Sequence, residues 1–168
     1  ESLETLSQTP KYYRWLCSRV QPYIRGKTLE LGAGIGNFAQ WARMFATEYH
    51  STDVDPVLVD RLKQDFPKAF RWDLFEPFPG DDLYDTVIIL NVIEHLKDDA
   101  GAMEALFNRL QPGGHLIVMV PAMHFLYGSL DRAFGHYRRY HKNEMRRLMD
   151  HVNLHVVRDM YLNIAGMF

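Results

Sequence analysis

Residues 28–38, reading Thr-Leu-Glu-Leu-Gly-Ala-Gly-Ile-Gly-Asn-Phe, constrain the fold of this chain more than any other stretch. Residues 28–31 suit a buried strand and run directly into glycines at positions 32, 34 and 36. A helical pattern starts at once, with Phe38, Trp41, Ala42 and Phe45 spaced i, i+3, i+4 and i+7. Glycine takes positive φ without a Cβ penalty and lets the backbone approach a ligand. The start of the following helix presents unpaired N–H groups. A strand, a glycine turn and a helix in this order form a nucleotide-binding device. The plainer alternative is a loop that needs only flexibility.

Dinucleotide sites use a related turn, G-x-G-x-x-G/A, whose third small residue lies five after the first. Here Gly36 lies four after Gly32, Asn37 follows it, and Glu30 sits two before Gly32. The resulting E-x-G-x-G-x-G resembles motif I of the class I S-adenosylmethionine-dependent methyltransferases. That resemblance implies that Glu30, Gly32, Ala33, Gly34 and Gly36 bind this cofactor, with the acid facing its amino-acid end and ammonium.

The next segments carry further acids at strand ends. A second strand, 48–52, ends in Asp53, which lies 21 residues beyond Gly32. An acid at that place can accept hydrogen bonds from both ribose hydroxyls, with Val54 beside it. Asp55 and Pro56 read as the N-cap and first residue of a helix bearing Leu58, Leu62 and Phe66 on one face. A short strand, 69–72, delivers Asp73. The resemblance implies that Asp73 meets the adenine amine and the Leu74 N–H a ring nitrogen; a plain solvated aspartate is the alternative. A turn-rich loop, 75–82, follows.

Residues 84–91 form a near-continuous apolar strand of the kind buried on both faces of parallel sheets. Asn91 stands at its carboxyl end, where open α/β sheets place ligands. With Val92-Ile93-Glu94-His95-Leu96, this stretch is similar to family motif IV, F-D-x-V-x-x-x-x-V-x-E-H, with Tyr84 in place of phenylalanine. Glu94 and His95 read either as an acid/base pair or as structural groups. A one-sided helix with Met103, Leu106, Phe107 and Leu110 then leads through a turn at 111–114 to a fifth strand, 115–120. The order helix, L-x-P-G-G, strand is again typical of the family, with an architectural role.

Residues 122–142 are the least generic part. Between 132 and 147 there are six Arg/Lys and one acid, interleaved with aromatics. The run Gly-His-Tyr-Arg-Arg-Tyr at 135–140 resembles a subgroup of bacterial methyltransferases acting on small molecules or on lipid- and sugar-linked substrates. That implies a substrate-side insertion, with Tyr137, Arg138, Arg139 and Tyr140 as substrate contacts and His136 and His95 as candidate bases. Paired arginines suit an anionic group on the acceptor. A basic loop salt-bridged to neighbouring acids is the alternative, and nucleic-acid binding is a weaker one. Asn143 then precedes a last helix with Met145, Leu148, Met149 and Val152, and 154–162 read as a sixth strand. The family's sheet has a seventh, antiparallel strand beside the sixth; only six residues follow Leu162, which leaves its presence open.

At the other end, residues 1–9 read as a polar lead. A helix over 10–26 bears Tyr12, Leu16, Val20 and Tyr23, with Pro22 set to end it a turn early. In the resembled family such a helix folds over the cofactor cleft; Tyr12, Tyr13 and Trp15 either help close it or pack in the core.

A length of 168 residues argues one domain, 1–168, with 28–121 as cofactor-binding core. Alternating strands and helices argue an α/β fold. The expectation is a Rossmann-like doubly wound, mostly parallel sheet with helices on both faces, of class I methyltransferase type. The net charge of −2 gives no general attraction to nucleic acid. Cys17, alone, excludes an internal disulfide and a multi-thiolate metal site, and no metal is expected. No apolar run is long enough to cross a bilayer and no signal peptide is visible, so a cytoplasmic location is expected. The implied chemistry is direct displacement of the methyl group of S-adenosylmethionine onto a small-molecule, lipid- or sugar-linked acceptor. Two rivals stay open: a non-catalytic S-adenosylmethionine-binding module acting through a partner, and an NAD-dependent oxidoreductase, against which Asn37 and Glu30 count.

Overall fold

The computed structural model describes residues 10–162. Five strands, β1 (Lys27–Leu31), β2 (Glu48–Asp53), β3 (Phe70–Arg71), β4 (Tyr84–Leu90) and β5 (Leu110–Met119), form one sheet. All pairings are parallel and the order is β3-β2-β1-β4-β5. The helices are α1 (Pro10–Val20), α2 (Ala39–Ala42), α3 (Pro56–Asp65), α4 (Asp99–Phe107), α5 (Ser129–Ala133) and α6 (Lys142–His151).

Period-two alternation distributes the strand side chains to two layers. Leu29, Leu31, Val87, Ile89, Leu116 and Val118 point to the side covered by Met103 and Leu106 of α4 and Met145 and Leu148 of α6. Ile88, Ile117 and Met119 point to the other side, against Leu16 and Cys17 of α1 and Ala42 of α2. Val87, Ile88 and Ile89 are fully buried, and each such side chain contributes about 1.5–3 kcal/mol relative to an exposed one. β1 and β4 pair as Leu29↔Val87, Glu30↔Ile88 and Leu31↔Ile89, which sets the carboxylate of Glu30 on the α1 side of the sheet.

Local chemistry explains most boundaries. α1 gives way to a 3-10 turn at Gln21–Tyr23, with Pro22 inside it. The Asp55 carboxylate accepts from Val57 N at 2.8 Å, and Pro56 opens α3. Asp98 caps α4 in the same way, accepting from Gly101 N at 2.9 Å.

Four expectations are corrected. The inner face of α3 carries Leu62 and Phe66 as expected, but its first turn is sealed by Val59, and Leu58 lies half-buried at the edge of that face. Phe107, at the end of α4, is exposed, and Leu110 already belongs to β5. The turn expected at 111–114 is a bulge within β5: pairing runs Tyr84↔Leu110 and resumes at Thr86↔His115. A Cβ on Gly114 would stand 2.9 Å from Gln111 O and 3.1 Å from Asp85 O, so the bulge needs glycine there. Residues 154–162 form no strand. β5 is the sheet edge, and a sixth strand of the family type pairs with a seventh, which no described residue supplies. Instead Leu154 packs on the core and Asp159 is held by Lys142 and Arg146 of α6, at 3.2 and 2.6 Å. Among the described residues no helix is long and apolar enough to cross a membrane.

Candidate cofactor cleft and acceptor site

The chain moves from β1 outward to β2 and β3, then returns to lay β4 on the other side of β1. The crevice at that reversal, outside the carboxyl ends of the strands, is where open α/β sheets bind ligands. The glycine turn follows β1 and Asn91 follows β4, so both stand there. Gly32 has φ +64°, and a Cβ on it would meet Val92 Cγ2 at 2.4 Å. Gly36 has φ +85°, and a Cβ there would lie 2.5 Å from Phe66 Cε2. Backbone bonds tie the turn to β2, with Ala33 N donating to Thr52 O at 2.9 Å.

Two acids approach this turn from buried positions. Asp53 is 8% exposed; its Oδ2 accepts from Gly34 N at 2.9 Å and its Oδ1 from Asp55 N at 3.1 Å. Glu30 is 3% exposed and, among the described residues, receives one hydrogen bond, from the Tyr49 hydroxyl to Oε2 at 2.8 Å. Burial pushes the Glu30 carboxyl up to about 7, and the nearby charge of Asp53 adds to the rise. Asp73 follows β3, with Oδ1 accepting from Phe75 N at 3.0 Å; Leu74 beside it is buried, and Val54 is exposed. Asn91 takes φ +53°, and its N–H donates to Met119 O at 2.8 Å.

This cleft fits S-adenosylmethionine on two structural grounds. Its turn packs positions 32 and 36 so closely on Val92 and Phe66 that both must be glycine, and it presents backbone rather than side chains at the strand ends. Its buried Glu30 carboxylate accepts, among the described residues, from one hydroxyl only, and so keeps acceptor capacity that suits a cationic group.

A second group lies next to the turn, because Val92, which abuts Gly32, is followed by a 3-10 turn at Ile93–His95. Glu94 is fully buried. The His95 and His136 rings meet edge to face with centroids 4.6 Å apart. Partial desolvation, with His136 adding, pushes the imidazole of the otherwise exposed His95 below its ordinary pKa. His136 Nδ1 lies 2.9 Å from Asp131 Oδ1. Asp131, 2% exposed, also takes Arg139 Nε at 2.8 Å, Arg139 Nη2 at 3.0 Å and Gly128 N at 2.9 Å. Burial alone would raise the Asp131 carboxyl, but these donors hold it well below the ordinary carboxylate range.

The fold therefore brings His95 and His136 together although 41 positions separate them, and it links Asp53 to the glycine turn. The four insertion residues are treated differently from one another. Tyr137 is half exposed, and its N–H donates to Glu94 O at 2.8 Å. Arg138 pairs with Asp99 at 2.7 Å and also donates to Lys97 O. Arg139 spends its fork on Asp131. Tyr140 is buried in the core with its hydroxyl on Asp99 at 3.0 Å. His124, Tyr127, Tyr137, Arg138 and Arg139 line a cavity of about 240 Å³ beside this group. Sequence reasoning missed Asp131 and Tyr49. Asp131 lies five residues before His136, and no pattern signals a turn that folds one onto the other; Tyr49 only faces Glu30 through the β1–β2 register.

Comparison with known proteins agrees with this fold. A family model described as a methyltransferase domain matches residues 6–159. A highly reducing polyketide synthase of Penicillium polonicum is 33% identical over 111 residues, covering 58% of this chain and 4% of that protein. A tRNA U34 carboxymethyltransferase of Pseudoalteromonas atlantica is 28% identical over 116 residues, covering 62% of this chain and 36% of that protein. The chain thus spans only a minor part of these relatives. Among solved structures, an S-adenosylmethionine-dependent methyltransferase of Archaeoglobus fulgidus superposes with TM-score 0.72 at 17% identity, over 86% of this chain and 68% of that one. One of Clostridium acetobutylicum gives TM-score 0.68 at 13% identity, over 92% and 83%. Fold, glycine turn and family match converge: the chain belongs to the methyltransferase-domain family and carries the class I, S-adenosylmethionine-dependent form of it.

Proposed function

We propose that this chain methylates a small-molecule, lipid- or sugar-linked acceptor, bound where the 122–142 segment folds over the end of β4. The observation that carries this reading is the contact of His95 with His136 one short turn away from the glycine loop, through Val92. In it, Glu30 faces the cofactor ammonium, and Gly32, Ala33, Gly34 and Gly36 give their backbone to it. Asp53, beside Val54, takes the ribose hydroxyls, and Asp73 with Leu74 N–H reads the adenine edge. Asn91 borders the crevice. The bound cofactor supplies an electrophilic methyl group on a sulfonium. Asp131 orients His136 through Nδ1, leaving Nε2 to accept a proton from the acceptor as it attacks. Tyr137 and Arg138 contact the acceptor, while Arg139 and Tyr140 brace the site from behind.

Two features support the acceptor class. Phe125, Leu130, Phe134 and Tyr137, all in this segment, are large and exposed, as an apolar or lipid-linked acceptor requires. Of the six cations between 132 and 147, four are paired: Arg138 with Asp99, Arg139 with Asp131, and Lys142 and Arg146 with Asp159. An acceptor's anionic group, or a nucleic-acid backbone, therefore gains less from them than their density suggests.

Calorimetric titration with S-adenosylhomocysteine, with NAD alongside, tests the cofactor half of the proposal. Binding of the former alone is expected; binding of NAD alone overturns it. Transfer from labelled cofactor to a panel of hydroxylated, sugar-linked and prenyl-linked acceptors tests the rest. Tight S-adenosylhomocysteine binding with transfer to no member would favour the non-catalytic module.

A further inference from the structure

Glu94 presents a chemical anomaly. It is fully buried, yet neither carboxylate oxygen has a hydrogen-bond partner among the described residues. Buried carboxylates are otherwise paired, hydrogen-bonded or on a metal. One ligand atom each from Glu94, His95 and His136 lie within 4.8 Å of one another.

The geometry points to a divalent-cation site formed by Glu94, His95 and His136 at the carboxyl end of β4. Two imidazoles and one carboxylate suit manganese, iron, cobalt or zinc better than magnesium or calcium, which prefer oxygen ligands throughout. The surroundings have the form of a metal's outer shell. Ligating histidines typically give their other ring nitrogen to a carboxylate or carbonyl. Here His136 Nδ1 is committed to Asp131, itself fixed by Arg139 and Gly128 N. Three protein ligands leave coordination positions for an acceptor oxygen. A cation there acidifies an acceptor hydroxyl, whose proton leaves to solvent. The oxygen pair then takes the methyl group as the methyl–sulfur bond breaks. With the cation bound, His136 is a ligand, and the acidified acceptor needs no free imidazole. This role rests on the methyltransferase reading above; cation binding itself does not.

The test uses the purified chain, stripped with a chelator and dialysed, then titrated with Co²⁺ while visible ligand-field absorption and equilibrium dialysis are followed. Saturable binding of one cobalt per chain is expected. His95→Ala, at an exposed position, and Glu94→Gln should each weaken it more than tenfold, and Asp131→Asn about 10–100-fold. Lack of saturable binding up to millimolar Co²⁺ overturns the inference, as does unchanged affinity in both His95→Ala and His136→Ala. S-adenosylhomocysteine titration of the same samples separates the two readings. Cofactor binding without cobalt binding sinks the cation site and leaves His136 as base. Cobalt binding without cofactor binding sinks the methyltransferase reading and leaves the cation site standing.

Discussion

Glu30 shows how burial sets the chemistry of one residue. Its carboxyl is raised to about 7 from an ordinary 4.5, first by desolvation. A raised acid stabilises the fold while it is neutral, and that stability is lost as pH climbs through the folded value. Glu30 should therefore contribute a loss of stability to the cofactor-free chain between about pH 4.5 and 7, and Glu30→Gln should reduce that slope in denaturant titrations, leaving the part that the equally buried and raised Glu94 supplies. An ammonium in the cleft favours the ionised form. S-adenosylhomocysteine binding at pH 6 should then release about one proton, read as a dependence of calorimetric heat on buffer ionisation enthalpy. Glu30→Gln should abolish the release. At Gly32 the constraint is steric as well as conformational. Gly32→Ala must hold φ +64° and face Val92 Cγ2; the left-handed backbone costs about 1–2 kcal/mol and the contact adds to it. Combining it with Val92→Ala should remove the contact part and leave the backbone part, measurable by chemical denaturation.

Elements follow from patterns whose period matches the structure, and fail to where two patterns overlap. β4 was legible because Val87, Ile88 and Ile89 fill both layers and tolerate no polar face. α4 is equally plain, since Met103 and Leu106 lock it to the sheet. Met103→Ala should cost about 2–5 kcal/mol through the cavity it leaves, seen as a lower denaturation midpoint; a loss under 1 kcal/mol would show that α4 is only loosely docked. The β5 bulge was misread because Pro112-Gly113-Gly114 signals a turn equally well. Only the demand that β5 pair with β4 on both sides of it makes it a bulge. Residues 154–162 have strand composition and no ladder partner, and composition alone does not make a strand.

At the scale of the whole molecule, strand order matters more than any side chain, because it collects residues from four strand ends around one crevice. Asp53→Ala should weaken S-adenosylhomocysteine by about 1.5–3 kcal/mol through lost hydrogen bonds to a charged group. Unchanged affinity would remove Asp53 from the site. Ligand binding should also stabilise the fold as a unit. S-adenosylhomocysteine at 100 times its dissociation constant adds about 2.7 kcal/mol, so the thermal midpoint should rise, whereas NAD at the same concentration should leave it unmoved. What the sequence determined by itself was the parallel α/β architecture and the cofactor turn, because period-two burial, glycine spacing and helix caps are local and repeat along the chain. Only the tertiary structure decided which side chains stand beside that turn. The meeting of Glu94, His95 and His136, the hold of Asp131 on His136, and the diversion of Arg138 and Arg139 to internal carboxylates join residues whose proximity depends on how the 122–142 segment folds back over β4. No local periodicity encodes that fold.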